Sequence, residues 1–113
     1  MKLILLLSAL LNAECSICSI EEQELVLSTV LNRSRIRNMY IEDVIFEKNQ
    51  YHGVNTKNFI PTVSTINVAA KILLSGPSDS SVLYFHRNDN KKRTWVNSLS
   101  LVKIKTYHLF YKN

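Results

Sequence analysis

Glycine, proline and cysteine are scarce in this chain of 113 residues, which contains two of each. So few glycines and prolines leave few obvious breaks between helices or strands. The chain also lacks internal repeats, low-complexity tracts and long linkers. A chain of this length without such boundaries predicts one domain over residues 1–113, with a core of modest size.

Long runs of like charge are also absent, and the longest basic run is Lys91-Lys92-Arg93. The net charge of +5 nevertheless favours a polyanionic partner, such as nucleic acid, an anionic membrane or a cell-wall polymer. Charge alone does not choose among these partners. No nucleic-acid motif accompanies the charge, and the basic stretch His86–Arg93 has the composition of a solvated hairpin turn.

The two cysteines, Cys15 and Cys18, form a lone C-x-x-C motif. A redox motif of this kind normally follows a strand within a βαβ unit, whereas this one follows a run of leucines. A zinc site would need two more ligands, and the histidines His52, His86 and His108 are scattered along the chain. We therefore expect two buried or half-buried thiols in a reducing compartment, with no metal ion and no cofactor.

The leucine-rich start of the chain has two interpretations. Lys2 and the apolar run Leu3–Leu11 are typical of a secretory signal peptide, although the cleavage site before Glu14 is weak. Alternatively, Leu3–Asn12 forms a helix that is apolar nearly all round and therefore buried. The run is too short to span a bilayer. These residues alone leave open whether residues 1–13 are removed or retained.

Helical periodicity continues after the cysteines. Ser19 and Glu22 have the spacing of a capping box, which opens a second helix that runs to about Arg35. Ile41–Phe46 has the pattern of a short amphipathic helical turn, and the polar stretch 49–59 predicts a loop.

A third helix starts at Pro61-Thr62 and stops at Gly76-Pro77, because glycine closes a helix and proline cannot continue one. Three later stretches rich in β-branched and aromatic residues predict strands: SSVLYFHR, TWVNSLSLVKI and TYHLFYK. Helices followed by a small antiparallel sheet predict an α+β fold.

A series of short motifs runs along nearly the whole chain. The first is ELVLSTVLNR, a helix that closes with Leu31-Asn32-Arg33. The others are DVIF, the pair Gln50-Tyr51, AAKILLSG, VLYFHR, Trp95 and the terminal HLFY. In this shared order, the motifs resemble the bacterial cell-wall hydrolases typified by the spore-cortex-lytic enzyme. The chain departs from the family at CSIC, where a glycine and an acid are usual, and at IKTYH, where Ile-Gly usually precedes the last strand.

The resemblance implies a small lysozyme-like domain with Glu14 as its catalytic acid, because the spacing from Glu14 to Asn32 is like the family's. It also favours retention of the leucine run as the first core helix, since that helix would aim Glu14 into a cleft. The substrate it implies is the glycan strands of peptidoglycan, cut between N-acetylmuramic acid and N-acetylglucosamine. The protein would then act on the bacterial cell wall after synthesis in the cytoplasm, as a monomer without membrane insertion or nucleic-acid binding. Its small size suits a phage-encoded lysis protein.

Cleavage of a glycosidic bond needs an acid that protonates the bridging oxygen. Apolar surroundings favour the protonated form of a carboxylic acid, and the leucine run before Glu14 would supply them. Hydrolysis usually needs a second carboxylate, and Glu42, Asp43 and Glu47 are near in sequence but lie in no matched motif. Related enzymes often do without one, because the 6-hydroxyl of the muramic acid attacks instead. We therefore favour a lytic transglycosylase over a hydrolase.

The substrate-binding candidates are Gln50, Tyr51, Tyr84 and His86. An amide such as Gln50 can donate to and accept from an N-acetyl group, although a solvated Gln50 beside a packing Tyr51 is the structural alternative. Tyr84 and His86 lie on one face of their strand by alternation.

The other residues of the matched motifs have mainly structural readings. We expect Asn32 and Arg33 to cap or brace a helix, and His108 to be a packed strand residue. Trp95 could stack on a sugar, although a lone tryptophan is usually part of the core. A non-catalytic basic module that binds cell-wall polymer or nucleic acid is the alternative function.

Overall fold

The computed structural model describes residues 2–47 and 50–113, and four helices precede three strands in it. This order confirms the predicted α+β fold. The helices are α1 (Leu3–Cys15), α2 (Ile20–Arg37), α3 (Ile41–Ile45) and α4 (Val63–Ser75). The strands are β1 (Tyr84–Arg87), β2 (Ser100–Ile104) and β3 (His108–Lys112).

The leucine run forms helix α1, which packs into the core against α4 and α2. Its fully or almost fully buried apolar side chains are Leu6, Leu7, Ala9, Leu10 and Leu11. A buried hydrogen bond of 2.7 Å between the hydroxyls of Ser8 and Thr65 fixes α1 against α4. Within the described residues, no helix has both the length and the apolar character needed to cross a membrane.

The start of α2 confirms only half of the predicted capping box. The Ser19 hydroxyl accepts a hydrogen bond from the Glu22 backbone N–H at 3.2 Å. The Glu22 side chain does not bind back to the cap, because its carboxylate contacts His108 Nδ1 at 2.7 Å instead. The helix continues to Arg37, and Asn38 ends it in the left-handed conformation, with φ of 53°.

The three strands form an antiparallel sheet in the order β1-β3-β2. Strand β3 is therefore central, with Tyr84 opposite Tyr111 in the register of β1 and β3. The prediction that the stretch from Thr94 onward begins a strand is wrong, because Thr94–Ser98 forms a 3₁₀ helix. That turn brings the Trp95 ring against β1 and β3, so tertiary packing overrides the strand propensity of these residues.

Helix α2 is joined to the segment before β1 by the motif Asn32-Arg33. Both residues are buried and lie inside α2 rather than at its end. The Asn32 amide donates to the carbonyl oxygens of Asp79 and Val82, each at 2.8 Å. Arg33 Nε donates to the Leu83 carbonyl oxygen. These bonds brace the sheet against the helices, as we expected for this pair.

Replacement of Asn32 by alanine tests this brace. The change Asn32→Ala leaves the Asp79 and Val82 carbonyl groups without their partner. We expect the free energy of unfolding to fall by roughly 1–3 kcal/mol, the usual cost of an unpaired buried polar group. Urea unfolding followed by circular dichroism measures this loss.

Asn67→Ala is the matched control. It also replaces an asparagine inside a helix by alanine, but Asn67 is exposed on α4. We expect this control to change the stability by no more than about 0.5 kcal/mol. Equal losses in the two variants would contradict the assigned role of Asn32.

Candidate active site

Glu14 lies in the last turn of α1 and is half-buried at the edge of a cleft of about 740 Å³. The Gly53 backbone N–H donates to Glu14 Oε1 at 3.0 Å. Among the described residues, no group makes a hydrogen bond to the other oxygen, Oε2. Within residues 2–47 and 50–113, one oxygen of the carboxyl group is therefore held by the protein, and the other is left for a ligand.

Gly53 permits a close approach between the 3₁₀ turn His52–Asn55 and the end of α1. A Cβ atom at this position would lie 2.7 Å from the Cβ of Ala13 and 2.9 Å from Glu14 Oε1. The missing side chain lets the backbone N–H reach the carboxylate. A lone glycine in a polar loop was the sequence signal for such an approach.

Four of the five predicted site residues line the cleft: Glu14, Gln50, Tyr84 and His86. The structure brings them together from α1, from the loop before the 3₁₀ turn and from β1. The cleft is also lined by Arg33, which we expected only to brace a helix.

The fifth predicted residue, Tyr51, does not line the cleft and is only 3% exposed. Its hydroxyl pairs with the Thr29 hydroxyl at 3.2 Å, and its ring packs against Phe85 with centroids 5.9 Å apart. This placement matches the packing alternative and makes direct contact with a substrate impossible in this conformation. Tyr51 forms part of the floor beneath the cleft.

The guanidinium of Arg33 connects this floor to the cleft. Its central carbon lies 5.2 Å from the ring centroid of Tyr51 and 4.7 Å from that of Tyr84, within the range of cation–π attraction. Arg33 Nη1 donates to Gln50 Oε1 at 2.9 Å. This bond occupies the carbonyl end of the Gln50 side chain and leaves its amide donors for a ligand.

An aromatic wall, formed by Tyr84, His86 and Trp95, bounds one side of the cleft, and the buried ring of Tyr111 packs against it. Trp95 meets the rings of Tyr84 and His86 edge-on, with centroids 6.3 and 5.7 Å apart. Tyr84 and His86 therefore share a face of β1, as the alternation predicts. Trp95 is 46% exposed, so the expectation that it belongs to the core is wrong. The 3₁₀ turn holds the ring on the surface of the sheet rather than beneath it.

Both ring nitrogens of His86 already have hydrogen-bond partners in the protein. Nδ1 lies 2.7 Å from the Arg87 carbonyl oxygen, which can only accept, so Nδ1 is the donor. Nε2 then accepts from the Tyr111 hydroxyl at 2.8 Å. His86 is therefore suited to shaping the wall rather than to transferring protons.

The candidates for a second carboxylate are not among the residues that line the cleft. Glu42 and Asp43 are exposed on α3, and Glu47 forms an ion pair of 2.7 Å with Arg37. Among the described residues, Glu14 is the one acidic side chain that lines the cleft. Its charged neighbours along the lining are the arginines Arg33, Arg87 and Arg93.

The basic stretch His86–Arg93 is partly neutralised by its own aspartate. Asp89 forms a 2.7 Å ion pair with Arg93 and accepts from the Lys91 backbone N–H at 3.0 Å. The hydrogen bond from the Arg93 guanidinium holds the pKa of the Asp89 carboxyl far below its ordinary value. These contacts agree with a solvated turn between strands.

The expectation of two free thiols is wrong, because Cys15 and Cys18 form a disulfide. The turn between α1 and α2 brings their Cα atoms to 5.2 Å, within bridging range. His108 is buried beside this bond, as expected for a packed strand residue, and is paired with Glu22.

Comparison with known proteins gives one family and two similar folds. The family model described as Cell Wall Hydrolase matches residues 19–111. The catalytic domain of the germination-specific lytic transglycosylase SleB from Bacillus anthracis superimposes with a TM-score of 0.83 at 19% identity, covering 96% of this chain and 93% of that one. The Bacillus cereus SleB catalytic domain gives 0.76 at 19% identity, covering 96% and 88%. No protein of curated function matches the chain.

The buried phenol of Tyr51 makes the free energy of unfolding fall as the pH rises through the alkaline range. Burial raises the pKa of Tyr51 above its ordinary value of 10.0, because the apolar floor solvates a phenolate poorly. The unfolded chain therefore loses this proton first. The contribution of the neutral phenol is complete below pH 10.0 and is lost as the pH rises through the higher pKa of the folded state.

Tyr51→Phe removes this titration and the bond to Thr29. At neutral pH we expect the variant to be less stable than the wild type by about 1 kcal/mol. Above the ordinary tyrosine pKa, the difference in unfolding free energy between the two proteins shrinks. The wild type loses the contribution of the neutral Tyr51 phenol there, and the variant has no such phenol to lose. Urea unfolding of both proteins over a pH series measures the difference, and a difference that stays constant through the alkaline range contradicts the assignment.

Proposed function

Because the chain belongs to the cell wall hydrolase family, we propose that it degrades peptidoglycan by cleaving the bond between N-acetylmuramic acid and N-acetylglucosamine. The observation that carries this proposal is the position of Glu14, with one oxygen bound by Gly53 and the other available at the cleft. The cleft has the volume of a typical small-ligand site.

Glu14 acts first as a general acid. Its protonated carboxyl group donates to the bridging oxygen as the C1–O bond breaks and the muramic acid becomes oxocarbenium-like. The N–H of Gly53 holds Oε1, so that Oε2 carries the proton toward the substrate. A positioned acid of this kind contributes roughly 10²–10⁴ in rate.

The second step uses the substrate's own hydroxyl. Glu14, now a carboxylate, removes the proton from the 6-hydroxyl of the muramic acid, whose oxygen attacks C1 and closes a 1,6-anhydro ring. This step restores the protonated acid and needs no second carboxylate. Support comes from the cleft lining, where Glu14 is the one acidic side chain among the described residues. We therefore propose a lytic transglycosylase rather than a hydrolase.

The other cleft residues bind the glycan. The free amide donors of Gln50 suit the carbonyl of an N-acetyl group, and Tyr84, His86 and Trp95 offer an aromatic wall for a sugar face. Tyr51 supports Gln50 indirectly, because both contact Arg33. The arginines along the cleft suit the carboxylates of the stem peptides of the wall.

Glu14→Gln is the direct test of the catalytic assignment. The amide keeps the shape of the side chain but cannot donate the proton of a carboxylic acid. We expect the lysis rate of purified cell walls, measured by loss of turbidity, to fall by roughly 10²–10⁴-fold. The thermal unfolding midpoint should change little, because Glu14 is only half-buried.

Glu42→Gln is the matched control, since Glu42 is exposed on α3 outside the cleft. This variant should lyse walls at the wild-type rate. Equal lysis by wild type and Glu14→Gln contradicts the role of Glu14. A comparable loss in Glu42→Gln contradicts a mechanism with one acid.

A further inference from the structure

Four potential metal ligands meet at the junction of α1, α2 and β3, and one of them, His108, also lines the cleft. The group consists of Cys15, Cys18, Glu22 and His108, and one ligand atom from each lies within 4.8 Å of all the others. Cys15, Glu22 and His108 are at most 4% exposed, and Cys18 is half-buried. The activity proposed above uses none of these four side chains.

The distances from His108 Nδ1 to the two sulfurs are close to those of a tetrahedral zinc site, whereas the sulfurs themselves must separate on reduction before they can bind one ion. The sulfurs of Cys15 and Cys18 lie 3.8 and 3.9 Å from His108 Nδ1. With ordinary zinc–sulfur and zinc–nitrogen bonds, the corresponding edge of a tetrahedron is roughly 3.5 Å. The Glu22 Oε2 atom lies 2.7 Å from the same nitrogen and would need to retreat by less than roughly 1 Å.

We propose that the reduced protein binds one zinc ion through Cys15 Sγ, Cys18 Sγ, His108 Nδ1 and Glu22 Oε2. In the oxidised protein the two sulfurs are bonded to each other and cannot act as thiolates. Reduction by a dithiol adds two electrons and two protons to this bond, giving two thiols and the disulfide of the reductant. Zinc then displaces the protons of both thiols and binds the neutral imidazole and the carboxylate.

The surrounding residues hold the ligands in the orientation that this site needs. The Tyr107 backbone N–H approaches both Glu22 oxygens, at 3.2 and 3.5 Å, so Oε1 keeps a donor when Oε2 binds metal. The edge-to-face contact of Phe85 with the His108 ring, 5.1 Å between centroids, fixes the imidazole. Outer contacts of this kind are typical of zinc sites.

Zinc is favoured over other cations by the ligand types. Two thiolates and an imidazole suit a borderline-soft metal, whereas calcium and magnesium prefer oxygen ligands only. Four protein ligands would close the coordination shell, which is typical of a structural site. Such a site would tie the last turn of α1 to the first residue of β3, and that turn carries Glu14.

A cobalt titration of the full chain tests the proposal. The protein is reduced with a phosphine, freed of metal and titrated with Co²⁺, which gives thiolate charge-transfer and tetrahedral d–d absorption bands in such sites. We expect saturation at one ion per chain, displacement by Zn²⁺, and no such bands in the oxidised protein. Elemental analysis of the reduced, zinc-loaded protein checks the stoichiometry.

Two variants identify the ligands. Cys18→Ser and Glu22→Gln should each weaken Co²⁺ and Zn²⁺ binding by at least ~100-fold. Loss of a residue that only supports a ligand weakens metal binding by up to about 100-fold, and loss of a ligand itself should cost at least as much. Ser16→Ala, an exposed change within the same turn, is the matched control and should bind like the wild type.

Three results would overturn the proposal. The first is a reduced, folded wild type that gives no thiolate–cobalt absorption band, and the second is an unchanged metal affinity in both ligand variants. The third is a wild type that unfolds on reduction even with zinc present. The wild-type titration decides the question even if a variant fails to fold. Lysis is not a readout here, so the result is independent of the proposed activity.

Discussion

Burial of helix α1 is the constraint on which the rest of the structure depends. Its leucines form a large part of the core, and the helix ends at the residue after Glu14. The carboxyl group therefore projects from a rigid element and meets the Gly53 N–H across the edge of the cleft. Because hydrophobic burial fixes the helix axis, the position of Glu14 does not rely on a mobile loop.

Arg33 has a comparable role at the cleft, which it also lines. It binds the Leu83 carbonyl group, lies against the rings of Tyr51 and Tyr84, and orients Gln50. One buried cation thus joins α2, the floor, the start of β1 and the loop that carries Gln50. A single side chain can do this because a guanidinium offers donors in a plane and an apolar face for stacking.

The predictable parts of the fold were those set by local pattern. The apolar run predicted α1, and Thr62 and Gly76 bounded α4, because caps and periodicity act over a few residues. The 3₁₀ turn at Trp95 was missed, and the sequence left open whether Tyr51 binds substrate or packs, since both outcomes depend on packing partners distant in sequence. The same holds for the group around His108, which lies 86 residues from Glu22. Glu14 was proposed as the acid from its spacing to Asn32 within a family resemblance, because the composition of the run before it left open whether that run is a signal peptide or a helix.

We propose that one acid, presented by a buried helix, breaks the glycan without a second carboxylate. Mass spectrometry of the muropeptides released from purified peptidoglycan tests it most directly. A mechanism with one acid predicts 1,6-anhydromuramic ends that resist borohydride reduction, because the muramic 6-hydroxyl is then the nucleophile. Reducing ends that borohydride converts to alcohols would contradict it, since they would mean that water attacks C1.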